Sequence, residues 1–130
     1  MRQEYPSMDQ WLKEAKEHVN APLIGMYLTH NGVVRQTAKA VVREGRNDIG
    51  PVAGMMFACD WPKIESVIAD TYKMNGIYYI RVWLNEGRLR VGDDMMYVLI
   101  GGDIRPNVVG AMEYLVGRIK QECVTETELY

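Results

Sequence analysis

Two apolar runs that lie close together, IYYIRVWLN at residues 77–85 and DDMMYVLIGG at residues 93–102, constrain this chain more than any other feature. Both are rich in branched, aromatic and long apolar side chains and read as strands. The connection between them, EGRLRVGD, carries two glycines and Asp93, which suits a hairpin-like link. Strands this apolar have to be covered, and amphipathic patterns on either side of them supply the cover.

Near the start, Ser7 and Gln10 have capping-box spacing, and Met8, Trp11, Leu12, Ala15 and Val19 follow at helical spacing. Residues 1–20 are therefore expected to carry an N-terminal helix. PLIGMYLTH, from Pro22, reads as a strand. NGVVRQTAKAVVREGRNDIGP reads as a turn and a second strand that ends in a mobile loop around Glu44 to Gly50. VAGMMFACD is expected to be another strand. Asp60 before Trp61-Pro62 starts a helix with Ile64, Val67, Ile68 and Tyr72 on one stripe, and Asn75-Gly76 stops it. The last helix begins at Pro106 and aligns Val108, Met112, Leu115 and Ile119; the tail at residues 123–130 has no helical period. The order α-β-β-β-α-β-β-α predicts one α+β domain over 1–130, a mostly antiparallel sheet with helices packed on one face.

The 130 residues carry a formal charge of −2, so no overall positive field exists to hold a nucleic-acid backbone. Charged residues recur through positions 1–20, which excludes a signal-peptide core or a membrane span there and leads us to expect a cytoplasmic protein. Cys59 and Cys123 have no CxxC or Cys/His companion, so neither a zinc site nor a disulfide framework is expected; both read as buried or partly buried thiols. Met55-Met56 and Met95-Met96 read as core filler or interface rather than metal ligands.

No nucleophile elbow, P-loop, GxGxxG or HExxH is present. Basic residues at element boundaries remain. Arg35 follows GVV, and Arg105 directly precedes the proline-started helix, whose first N–H groups and dipole favour an anion. A solvated or salt-bridged arginine is the alternative at that position. Lys120 sits at the margin of the last helix's apolar stripe, where desolvation can fit a lysine for acid, base or nucleophile chemistry; snorkelling to water is the commoner fate. His30 is a further candidate acid or base. The paired Gly101 and Gly102 either admit a close neighbour or mark a bulge.

GVVR at 32–35, EGRLRVGDDMMYVLIGGDIR at 86–105 and IK at 119–120 together resemble the large, catalytic subunit of molybdopterin synthase. That family carries a G-x-V-R turn, a G-x-L-x-x-G-[DE] hairpin, an H-R pair after the next strand and a lysine late in the following helix. The resemblance spans about residues 22–122 and describes a short, divergent member. It implies the family's α/β hammerhead fold, and sulfur transfer from a ubiquitin-like small subunit, through its C-terminal Gly-Gly thiocarboxylate, to cyclic pyranopterin monophosphate. No metal, no cofactor and no cysteine of the large subunit is then needed. Arg35 and Arg105 would hold the pterin phosphate, Arg105 across a homodimer interface, and Lys120 would be the catalytic lysine beside the inserted thiocarboxylate. Two positions depart from the pattern. Ile104 stands where the family has histidine, and the positions nearest its second functional lysine are Glu126 and Thr127. A non-catalytic paralogue that binds pterin or small subunit is therefore an alternative, as is a structural dimer without ligand.

Overall fold

The computed structural model describes residues 5–130. In chain order the elements are α1 (Met8–Lys16), β1 (Met26–Val33), α2 (Lys39–Glu44), β2 (Gly54–Cys59), α3 (Trp61–Tyr72), β3 (Ile77–Leu84), β4 (Gly87–Arg90), β5 (Asp94–Gly102), α4 (Arg105–Arg118) and β6 (Val124–Leu129). A 3₁₀ turn at Ala21–Leu23 precedes β1, and a π-helical turn at Ile119–Cys123 joins α4 to β6. The strands form two three-stranded antiparallel sheets, ordered β1-β5-β3 and β4-β2-β6. This is the expected α+β architecture, with its strands divided between two sheets.

The two apolar runs that dominate the sequence are β3 and β5, and they pair as neighbours. Alternation along β5 sends its side chains to opposite faces. Val98 and Ile100 enter the main core with Ile64 and Val67 of α3 and Val108, Ala111 and Leu115 of α4. Leu99 joins Trp11 and Ala15 of α1 and Trp83 of β3 in a second cluster. Thus α3 and α4 share one face as expected, while α1 covers the other. Met55 and Phe57 of β2 and Leu89 of β4 carry the second sheet into the main core.

Local signals place the helix starts. Ser7 accepts a hydrogen bond from the Gln10 N–H at 3.3 Å, and Asp60 accepts one from the Lys63 N–H at 3.2 Å, the N-cap bonds their sequence predicts. The paired glycines meet both of their expected uses. A Cβ on Gly102 would lie 2.6 Å from Val108 of α4, and one on Gly101 would lie 2.9 Å from the Tyr27 ring. The register shift of β3 between Ile77 and Tyr79 falls opposite the same two residues.

Several expectations are corrected. β1 starts at Met26, after the 3₁₀ turn, rather than at Pro22. Asn31-Gly32 forms no turn: β1 runs through it, pairing Asn31 with Tyr97 and Gly32 with Met96, and the irregularity is reduced to a shift between Gly32 and Val33. Eight residues of ladder with β5 outweigh a local turn preference. The second strand expected after it is absent, because Lys39–Glu44 is a helix closed by Gly45 at φ 67°. The link between β3 and β5 contains a strand of its own, β4, and the tail is β6; both pair with β2. α1 also stops at Lys16, leaving Val19 84% exposed.

Trp11 is 5% exposed, and the Arg81 guanidinium lies 4.6 Å from its ring while pairing with Glu14. Trp11→Ala should therefore destabilise the fold by about 3–5 kcal/mol. Denaturant unfolding measures this, and a loss below about 1 kcal/mol would mean that α1 does not cover β5.

Candidate functional site

β1, α2, the π turn and β6 converge on a cavity of about 280 Å³. Its polar lining is His30, Arg35, Lys39, Lys120, Glu126 and Glu128, over an apolar wall that includes Val34, Val52, Met55 and Met95. Three of the four residues singled out in the sequence, His30, Arg35 and Lys120, therefore meet in one place although they come from different elements.

Each is positioned by a local feature. The end of β1 is pinned by a bond from the Val34 N–H to the Asp93 carbonyl at 3.0 Å, which buries Val34 and carries the chain on to Arg35. Arg35 Nε then donates to the Thr37 carbonyl at 2.9 Å. Lys120 lies within the π turn, where widening of the helix alters the direction in which its side chain leaves the α4 stripe. The turn ends at Cys123, and alternation along β6 sends Glu126 and Glu128 inward between exposed Thr125 and Thr127.

The lysines and carboxylates form one network. Glu126 has a side chain only 8% exposed; its Oε2 lies 2.9 Å from Lys39 Nζ and its Oε1 lies 3.8 Å from Lys120 Nζ. Glu128 Oε2 accepts the Lys39 backbone N–H at 2.8 Å. A carboxylate this enclosed needs compensating charge, and two ammonium groups supply it. The His30 Nε2 is buried without a hydrogen-bond partner among the described residues. Burial, and secondarily the charge of Lys120, hold the His30 pKa below its usual value, so the ring is neutral near pH 7.

Arg105 stands apart. It is exposed at the first turn of α4, fifteen residues before Lys120, and the helical rise puts the two about 20 Å apart along the axis. The anion position expected at this helix start is filled by the chain itself: Asp103 Oδ1 accepts from the Ile104 N–H at 2.6 Å and from Asn107 Nδ2 at 2.9 Å. Those bonds lower the Asp103 pKa. The cysteines lie elsewhere, on a separate cavity beside Asp60 and Lys63. Burial pushes the Cys59 thiol up to about 12 and also raises Cys123, so neither is a thiolate near neutrality. Among the described residues no group of three His, Cys, Asp or Glu side chains could hold a metal ion, and no helix is long and apolar enough to cross a membrane.

A family profile described as MoaE protein matches residues 7–122. The chain belongs to the MoaE family. The match takes in α1, for which the sequence motifs alone offered no counterpart, and it stops before β6. Solved structures agree on the fold. Molybdopterin synthase from Staphylococcus aureus superposes with a TM-score of 0.73 at 17% identity, covering 98% of this chain and 87% of that one. A molybdopterin biosynthesis MoaE protein from Burkholderia ambifaria gives 0.72 at 16%, covering 97% and 84%. The complex of subunits 1 and 2 of molybdopterin-converting factor from Helicobacter pylori gives 0.64 at 16%, covering 96% and 84%. No match was found among the curated proteins.

Within this MoaE member, sequence reasoning missed Lys39, Glu126 and Glu128 as site residues. Lys39 was hidden by reading α2 as a strand. The two glutamates had a usable signal, the period-two alternation of VTETEL, which marks a strand with one face turned inward.

The depressed His30 pKa has a consequence for stability. Below about pH 6.5 the unfolded chain takes up a proton at this ring and the folded chain resists it, so acidification towards the folded pKa costs stability. Thermal unfolding between about pH 7 and pH 5 should show a decline that His30→Phe makes shallower. Equal slopes for the two chains would contradict the placement of His30.

Proposed function

We propose that this chain is the large subunit of a molybdopterin synthase and acts in molybdenum cofactor biosynthesis. It would transfer sulfur from the C-terminal thiocarboxylate of a small carrier subunit to cyclic pyranopterin monophosphate. One observation carries the reading: Arg35 and Lys120, remote in sequence, share a cavity in a chain of the MoaE family. The Helicobacter pylori complex named above supports a second, different subunit as partner.

The chemistry asks little of the protein beyond charge and position. The thiocarboxylate sulfur attacks a carbon of the pterin side chain and displaces the oxygen substituent there, which leaves with the bonding electron pair, so that a C–S bond replaces a C–O bond and a thioester to the carrier forms. Water then adds to the thioester carbonyl; the carrier leaves as a carboxylate and sulfur stays on the pterin. A second round supplies the other sulfur of the dithiolene. Lys120 provides a cation for the incoming thiocarboxylate and for the oxyanion formed during hydrolysis, while Arg35 holds the pterin phosphate. Arg105 lies too far from the cavity to act within one chain, so its contribution would come from the second copy of a homodimer. Neutral His30 would accept or donate a hydrogen bond at the apolar wall.

A second reading has its own observation. Glu126 already pairs with Lys120, which opposes engagement of that lysine by an anion and favours a relative that binds pterin or carrier without turnover. Incubation with thiocarboxylated carrier and pterin precursor separates the two, since product from the wild-type chain supports synthase and binding without product supports the second reading.

With an active wild type, Lys120→Ala should reduce turnover by about 10²-fold or more while stability changes by less than about 1 kcal/mol. Arg105→Ala should weaken precursor binding by about 1.5–3 kcal/mol. Mixing the two variant chains should restore part of the activity, because a heterodimer would contain one intact site. Unimpaired turnover by Lys120→Ala would remove the basis of the assignment.

A further inference from the structure

The cavity contains more charge than Arg35 and Lys120 supply, and that charge is organised. Glu126 presents one oxygen to Lys39, at 2.9 Å, and the other to Lys120, at 3.8 Å. Lys39 comes from α2 and Lys120 from the π turn, so the carboxylate ties together two elements that do not otherwise share a strand or helix. Glu128 takes the Lys39 backbone N–H as well, which fixes the start of α2 and hence the origin of the lysine stem. Both glutamates lie on β6, outside the stretch that matches the family.

We propose that Lys39 is a second substrate-contacting cation of this site and that Glu126 is a positioning residue, spacing the Lys39 and Lys120 ammonium groups for a guest that carries a terminal oxyanion. The proposal rests on the sulfur-transfer reading for the identity of that guest, a phosphate or a chain-terminal carboxylate or thiocarboxylate, and on the geometry for everything else.

The charge balance favours this over a purely structural ion pair. Three cations, from Arg35, Lys39 and Lys120, face the cavity against two carboxylates. One of those carboxylates is partly committed to a backbone N–H. The cavity is left positive in a chain whose formal charge is −2, and a recess with apolar walls concentrates such a field. The burial values point the same way. Glu126 is nearly enclosed, whereas Lys39 and Lys120 keep 40% and 31% of their side-chain surfaces accessible, so the cations rather than the carboxylate are presented to an incoming group. An anion entering between them would share the ammonium donors with Glu126. The longer Lys120 contact is the one more readily given up, while Lys39 stays held and oriented.

The test uses the full chain and the variants Lys39→Met, Lys39→Arg and Glu126→Gln. Dissociation constants are measured by NMR titration with inorganic phosphate and, separately, with a synthetic peptide ending in Gly-Gly-carboxylate. Lys39→Met should weaken binding of at least one probe by about tenfold, and Lys39→Arg should retain most of the affinity. Glu126→Gln keeps the shape but removes the internal competitor, and should tighten the same probe. The probe that responds identifies the class of terminal group. Unchanged binding of both probes by Lys39→Met, or weaker binding by Glu126→Gln in a chain with an unaltered amide spectrum, overturns the proposal. Should Glu126→Gln fail to fold, the contrast between Lys39→Met and Lys39→Arg decides alone.

Turnover separates this inference from the reading beneath it. In an active wild type, Lys39→Met should raise KM more than it lowers kcat, and Glu126→Gln should lower kcat through loss of Lys120 positioning despite tighter binding. A wild type without product defeats the synthase reading, yet the binding contrasts still judge Lys39 and Glu126.

Discussion

Burial of β5 on both faces is the constraint from which the rest of this molecule follows. A strand in the middle of a three-stranded sheet, with Leu99 turned to α1 and Val98 and Ile100 turned to α3 and α4, cannot slip by one residue without exchanging its two cores. That register fixes β1 along its whole length, and so fixes where β1 ends and Arg35 begins. It also fixes α4, because Gly102 lets Val108 approach closely at the helix start. With that end seated, the last turns of the helix must run toward the finish of β1. Lys120 thus meets Arg35 as a result of packing decisions made far from the cavity.

Much of this was legible in the amino-acid order. The helix caps at Ser7 and Asp60, the pairing of the two long apolar strands and the stripe of Val108, Met112, Leu115 and Ile119 all rest on local patterns that tertiary contacts reinforce. Asn31-Gly32 misled because a turn preference of the isolated sequence was overridden by the ladder to β5. Lys39–Glu44 misled differently: two valines suggested a strand, while the neighbouring Ala, Lys, Arg and Glu favoured a helix and the closing glycine settled it. In the tail, alternating Thr and Glu lack the apolar side chains that usually announce a strand, because the buried half of the alternation is charged.

The candidate site divides along the same line. Arg35 and Lys120 could be found from spacing because they stand at the ends of regular elements. The carboxylate between the lysines was harder to read: the alternation of VTETEL marks a strand, but a glutamate in a polar tail ordinarily faces water, and the pairing of β6 with β2 turns Glu126 inward. Neutral His30 belongs to the same category of tertiary effect: its protonation preference comes from burial in the folded cavity and from the charge of Lys120, which is remote from it in sequence. The result is a recess in which β6 supplies the acidic groups, while the basic groups come from α2, the π turn and the chain just beyond β1.

The π turn carries an implication for how such a site can change over generations. An α-helix rotates by about 100° for each residue, so loss of the Ile119 codon would swing Lys120 away from the cavity and shift β6 by one position against β2. Threonines would then point inward where the glutamates do now. Point substitutions can tune the pocket one side chain at a time, whereas a one-residue length change at this junction would dismantle it in a single event.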